Sequence, residues 1–199
     1  MIQTTSVTRA VFAVSLTIFF ALAANAQEQP GDRNYDISLH LVIGSNDAAM
    51  SSRSDVPKEL DPIVRQMKSG FSFGSYKLLS TFLGRVGEAG QFSYQSVANI
   101  DGKDMPPAVP TFLDWSLQDL RGSTSLHSLK LQGFRFGARL PVATGGSEGR
   151  SAGVSYENIG LTVQRLGIME GSPTLIGTVH LPGTSGTIFV IMTIRATQS

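Results

Sequence analysis

Residues Gly149 to Gly153 read Gly-Arg-Ser-Ala-Gly, a G-x-S-x-G pattern. Ser151 stands where hydrolases of that pattern carry their nucleophile. Glu170 and His180 follow it in the serine, acid, histidine order of that hydrolase fold. The chemistry would be acyl transfer. It requires a strand directly before the serine and a helix directly after, so that a strained turn lifts the hydroxyl. Here the motif sits in the Gly/Ser-rich stretch 144–153 between β segments, without alternating β/α order around it. A second constellation is Asp114 and Asp119 about Trp115, two carboxylates beside an aromatic that could stack on a sugar. The competing reading puts Asp114 on the solvent face of an amphipathic strand and Trp115 in the core.

The other chemistry-bearing residues are scattered. His40, His127 and His180 each fall in a strand-like segment, with no i, i+2 or i, i+4 pair and no local carboxylate cluster. A metal site needs convergent ligands, so none is expected. Asp101-Gly102-Lys103-Asp104 reads as a turn, not a phosphate loop or a calcium loop. No cofactor motif is present. Arg135 and Arg139 flank Gly137 and could present a ligand surface, as could the 145–153 loop. Zero Cys excludes a disulfide framework, a thiol nucleophile and a Cys zinc site.

The N-terminus supplies an address. Arg9 is the only charge before Glu28, and an apolar run spans Ala10 to Ala23. Ala24-Asn25-Ala26 then forms a small-x-small end. This is the pattern of a secretory signal peptide over 1–26, too short to be read as a membrane span. Its removal leaves about 173 residues, one domain or two small ones, with 15 basic and 15 acidic residues. A formally neutral chain has no electrostatic reason to hold nucleic acid or anionic lipid. The expected location is periplasm, outer envelope or medium, with no transmembrane helix after cleavage.

These residues must be positioned by strands, because strand patterns dominate. Residues 27–34 read as a flexible leader. Tyr35–Gly44 alternates, with Ile37, Leu39 and Leu41 on one face. One helix is expected over Pro57–Gly70. Leu60, Ile63, Val64 and Met67 form its apolar stripe, and it either kinks at Pro62 or starts at Asp61 as N-cap. In Ser75–Val86 the residues Tyr76, Leu78, Phe82 and Val86 share a face opposite Leu79 and Leu83, which suggests a central strand. Gly87–Gly90 looks like a hairpin connection to Gln91–Ile100. Thr111–Leu120 places Leu113, Trp115 and Leu117 inward. Between Leu131 and Phe134 the apolar phase changes, which predicts a β-bulge at Gln132-Gly133. Ile159, Leu161 and Val163 mark another strand, and 173–196 closes as a hairpin. Thr187–Arg195 is apolar on both faces, so it is expected at the centre of a sheet. The fold class is α+β and strongly β-rich. A strand–helix–strand unit packs with an antiparallel sheet or sandwich in a single domain over 35–199, divisible at most into 35–100 and 111–199.

The C-terminal residues carry a resemblance. Glu170-Gly171-Ser172-Pro173, Leu175-Ile176-Gly177 and Ile188 to Arg195 are similar to the closing turn and strands of the secretin core domain. Tyr35–Val86 loosely resembles the small ring-building modules that precede such cores. Glu59–Leu79 resembles a segment of short exported bacterial proteins. Thr193 lacks the proline that follows it in secretins, and a secretin is several times longer. The resemblance implies an envelope-associated β domain. The function expected is a non-enzymatic structural or interaction role in the envelope, as an accessory of a secretion or surface assembly. Its partners would be envelope proteins or further copies of the chain. The alternatives are a secreted hydrolase using Ser151, or a carbohydrate- or peptide-binding sandwich.

Overall fold

A computed structural model describes residues 33–46, 56–97, 109–123, 127–144, 153–182 and 186–197. The strands are β1 (Asn34–Ser45), β2 (Ser75–Gly87), β3 (Gln91–Val97), β4 (Phe112–Ser123), β5 (Ser128–Thr144), β6 (Gly153–Met169), β7 (Thr174–His180) and β8 (Thr187–Ala196). They form two 4-stranded sheets, ordered β2-β1-β8-β7 and β3-β4-β5-β6. Every pairing is antiparallel. The inward faces share one core, built from Ile37, Leu39 and Leu41 on one side and Leu113, Trp115 and Phe136 on the other. This is a β-sandwich with a helix on one outer face, the β-rich α+β class that the alternation implies.

The helix α1 (Asp61–Gly70) lies between β1 and β2 in sequence and covers the outer face of the first sheet. A 3-10 turn over Lys58–Leu60 leads into it, and Pro62 falls in its first turn. The proline is tolerated there because the first N–H groups of a helix have no intrahelical partner. Leu60, not Asp61, occupies the N-cap position, and no side chain caps it. Ile63, Val64 and Met67 bury against Val42, Phe189 and Ile191. At the helix end the Tyr76 hydroxyl shares its one proton between the Met67 and Phe71 carbonyls, at 3.3 and 3.2 Å. Strand β8 is interior, with Ile188, Val190, Met192 and Ile194 in the sandwich core and Phe189 and Ile191 under the helix.

Three expectations need correction. Strand β2 is an edge strand, and Leu83 is 70% exposed. A bulge opposite Leu41/Val42 inserts Leu79, so Tyr76 and Leu78 face the helix while Phe82 and Val86 face the core. The turn at 87–90 is not a hairpin. Strand β3 pairs with β4 in the other sheet, and the turn carries the chain across the sandwich edge. Aromatic residues hold this crossing: Phe82 packs on Tyr94 at 5.5 Å with the rings tilted, and Phe92 sits against Gly84, which has no β carbon to block it. The pairing of β3 with β4 also joins 35–100 to 111–199 through the second sheet.

The third correction concerns the phase change in β5. The register of β5 runs without a shift past Gln132 on both sides, so no residue is inserted relative to its neighbours. Instead β4, β5 and β6 all change phase at one level. Inward Leu117 is followed by inward Leu120, Leu131 by Phe134, and Val163 by Leu166. The unpaired level is Asp119, Gln132 and Arg165, side by side across three strands. Asp119 and Arg165 have φ of 51° and 56° in the middle of strands. A left-handed conformation in a non-glycine residue costs about 1–2 kcal/mol. The sheet bends here as a unit, with the β2–β3 turn bound alongside: Ala89 N–H donates to Leu120 O at 2.7 Å, and Asp119 N–H to Gly90 O at 3.1 Å.

Candidate functional site

Of the residues with hydrolase order, Glu170 and His180 fall among the described residues. Ser151 and most of the 145–153 loop, like Asp101–Asp104, lie outside the described residues. Glu170 is held at the Ala196 end of β8 and His180 pairs with Thr187 at its other end, about 30 Å apart at strand rise. The Glu170 carboxylate is occupied as a tie, accepting the Ala196 N–H at 3.0 Å. His127 is an exposed turn residue with φ of 44°. His40 Nδ1 lies 3.0 Å from Thr81 Oγ1, and burial holds its pKa below the ordinary value. Among the described residues no three His, Asp or Glu side chains gather as metal ligands.

Trp115 is a core residue, 1% exposed, with Phe92, Tyr94 and Phe134 around it at centroid distances of 4.7, 6.1 and 6.4 Å. It cannot stack on a sugar. Asp114 is on the opposite, outer face. Asp119 sits at the bend, where its Oδ1 accepts from Arg121 Nε at 2.8 Å. The two carboxylates therefore do not act on one bond.

The outer face of the second sheet is where polar groups collect. Its rows, read across β3 to β6, run Val97, Phe112, Arg139, Asn158; then Gln95, Asp114, Gly137, Gly160; then Ser93, Ser116, Arg135, Thr162; then Gln91, Gln118, Gly133, Gln164. The glycines leave shallow depressions beside Arg135. Arg139 is not free for a ligand in the same way: its Cζ lies 4.8 Å over the Phe112 ring, which packs on Tyr156 at 5.7 Å.

The larger concavity lies one level further, over the bend. It measures about 670 Å³ and is lined by Asp119, Arg121, Lys130, Gln132, Arg165 and Gly167, with Leu131 and Leu166 beneath. Arg121 comes from β4, Lys130 from β5 and Arg165 from β6. Sequence reading did not single out these three. The available signal was the repeated step of three in otherwise alternating strands, at 117–120, 131–134 and 163–166.

Comparison with known proteins adds a weak likeness in structure. No family model matches the chain. No curated protein matches it in sequence. The chain resembles the Salmonella SPI-1 type III secretion injectisome secretin InvG in its open gate state, with a TM-score of 0.42 and 11% identity over 93% of this chain and 66% of that one. It resembles the type II secretin GspD of enteropathogenic Escherichia coli with a TM-score of 0.41 and 9% identity, over 94% and 75%. A chain of the Klebsiella pneumoniae type II secretion system outer membrane complex, which holds PulD, PulS and the PulC HR domain, gives 0.38 and 9%, over 94% and 43%. All three likenesses are faint. No helix among the described residues is long and apolar enough to cross a membrane.

Proposed function

We propose that the protein is an exported, non-enzymatic interaction module of the cell envelope, an accessory of a secretion or surface assembly. Residues 1–26 act as its secretory signal. The single observation that supports this most is the free edge of β6. This strand is 17 residues long and, among the described residues, bonds to β5 on one side only. An open edge presents a row of unpaired N–H and C=O groups, and proteins that need no partner usually blunt it with charge, proline or brevity. Strand β6 has no proline, and its only charges are Glu157 and Arg165. Its first part pairs with 140–144, beyond the reach of β4, so the hairpin continues as a two-stranded arm. Val154 and Tyr156 on that arm are exposed.

The test is fractionation of the native protein. The wild-type chain is expected with the envelope or in a large species on native gels. Val154→Lys with Tyr156→Lys, which charges the edge without touching the core, should release it as a small soluble species. A wild-type protein that is freely soluble and monomeric would overturn the reading.

A further inference from the structure

We infer that the concavity over the Asp119–Gln132–Arg165 level is a binding site for a phosphate-bearing ligand, held by Arg121, Lys130 and Arg165. The inference does not rest on the edge of β6 or on where the protein works. Three independent features converge. The first is charge. The chain is almost neutral overall, at +1, yet this one concavity gathers three cations against a single carboxylate. The second is occupancy of donors. Asp119 takes only the Nε–H of Arg121, and a guanidinium has five N–H donors in a planar fork. The carboxylate therefore orients the fork and leaves its outer edge open. Among the described residues Lys130 and Arg165 make no ion pair.

The third feature is backbone conformation. Four non-glycine residues have positive φ among those described: Ala89 and His127 lie in turns, and only Asp119 and Arg165 lie within strands. Both line this concavity, on either side of Gln132. Strained conformations persist where surrounding structure holds them, and they concentrate at binding sites. Here the strained residues of β4 and β6 turn outward on either side of Gln132, and Arg121 and Arg165 line the same hollow as Lys130. Arginine pairs suit the oxygens of phosphate, with lysine adding a point charge. The Gln132 amide can donate to the same group. The hollow is open, so binding should weaken as salt rises.

The experiment uses the purified chain after signal removal, with inorganic pyrophosphate as probe. Amide chemical shifts are followed during titration, with sodium acetate at matched ionic strength as control. Saturable shifts centred on Gln132, Arg165 and Gly167 are expected, with acetate giving none. Arg165→Gln and Lys130→Gln should each weaken pyrophosphate about tenfold or more, while Lys77→Gln, a distant surface charge, should change nothing. A second arm distinguishes the source of the phosphate. Retention on phosphatidylglycerol vesicles but not phosphatidylcholine vesicles, competed by pyrophosphate, assigns a lipid headgroup; pyrophosphate binding without retention assigns a soluble phosphorylated compound. Shifts that map elsewhere, shifts that acetate reproduces, or affinities equal in all three variants would overturn the site. These wild-type shifts remain decisive even where a variant folds poorly.

Discussion

The phenolic oxygen of Tyr35 lies against the α carbon of Gly122, where a β carbon would overlap it. Tyr35 opens β1 in one sheet and Gly122 nears the end of β4 in the other. The contact locks the two sheets together just past the bend. Tyr35 is 2% exposed, so its ring has no room to swing aside.

Gly122→Ala is therefore expected to destabilise the fold by about 1–3 kcal/mol, the usual cost of overpacking. Tyr35→Phe removes the oxygen that the methyl meets. The double variant should be more stable than the sum of the two single losses implies, as read from urea midpoints in a double-mutant cycle. Strict additivity would show that the two residues do not touch.

Two glycines of β6 should respond oppositely to the same change. A β carbon at Gly160 would run into the Phe136 carbonyl oxygen, whereas nothing lies within 4 Å of one at Gly167. Gly160→Ala should lower the melting temperature, by a cost of about 1–3 kcal/mol. Gly167→Ala should be neutral or stabilise slightly by restricting the unfolded chain. Equal melting temperatures would count against the close β5–β6 approach.

Phe189 is the anchor between helix and sheet. Its ring meets Phe71 at 4.9 Å, Tyr76 at 5.7 Å and Phe73 at 5.9 Å. Phe189→Ala should cost about 3–5 kcal/mol. It should also erase much of the near-UV circular dichroism from this aromatic group. A loss below about 1 kcal/mol would mean that the helix is not held there.

His40 gives stability a pH dependence with a definite sign. Burial lowers its folded pKa below the ordinary 6.5, while nearby Glu59 opposes the shift. The unfolded chain therefore takes up the proton first. The contribution is fully present above about 6.5 and is lost as pH falls through that value, levelling off below the folded pKa. Urea midpoints of the wild type should fall on acidification, and His40→Gln should fall less steeply over the same range. Parallel curves would remove His40 as the cause.

Much of the architecture was legible because burial writes a period into the chain. Thr187–Arg195, apolar on both faces, reads directly as a central strand of a sheet. The stripe of Leu60, Ile63, Val64 and Met67 reads as the helix. What escaped reading were features decided by neighbours. Phe92 and Tyr94 have the alternation of a hairpin partner of β2, but their rings complete the opposite wall of the core. Leu79 breaks the phase of β2 through a bulge that only its pairing with β1 reveals. The bend was visible in β5 alone, as a step from Leu131 to Phe134. Its significance lies in the matching steps of β4 and β6, which lie side by side only after pairing. The three cations of the hollow carry no local motif at all, since register alone brings them together.

The placement of β1 has a consequence for the order of folding. This strand bonds to β2, nearby in sequence, and to β8, about 150 residues further on. The first sheet therefore cannot close until late in synthesis, and topologies with such distant pairings complete slowly, in milliseconds to seconds. Until then the apolar faces of β1 and α1 lack their cover. The entry of β8 between β1 and β7 is thus the step that completes the first sheet and covers both apolar faces of its interior strands.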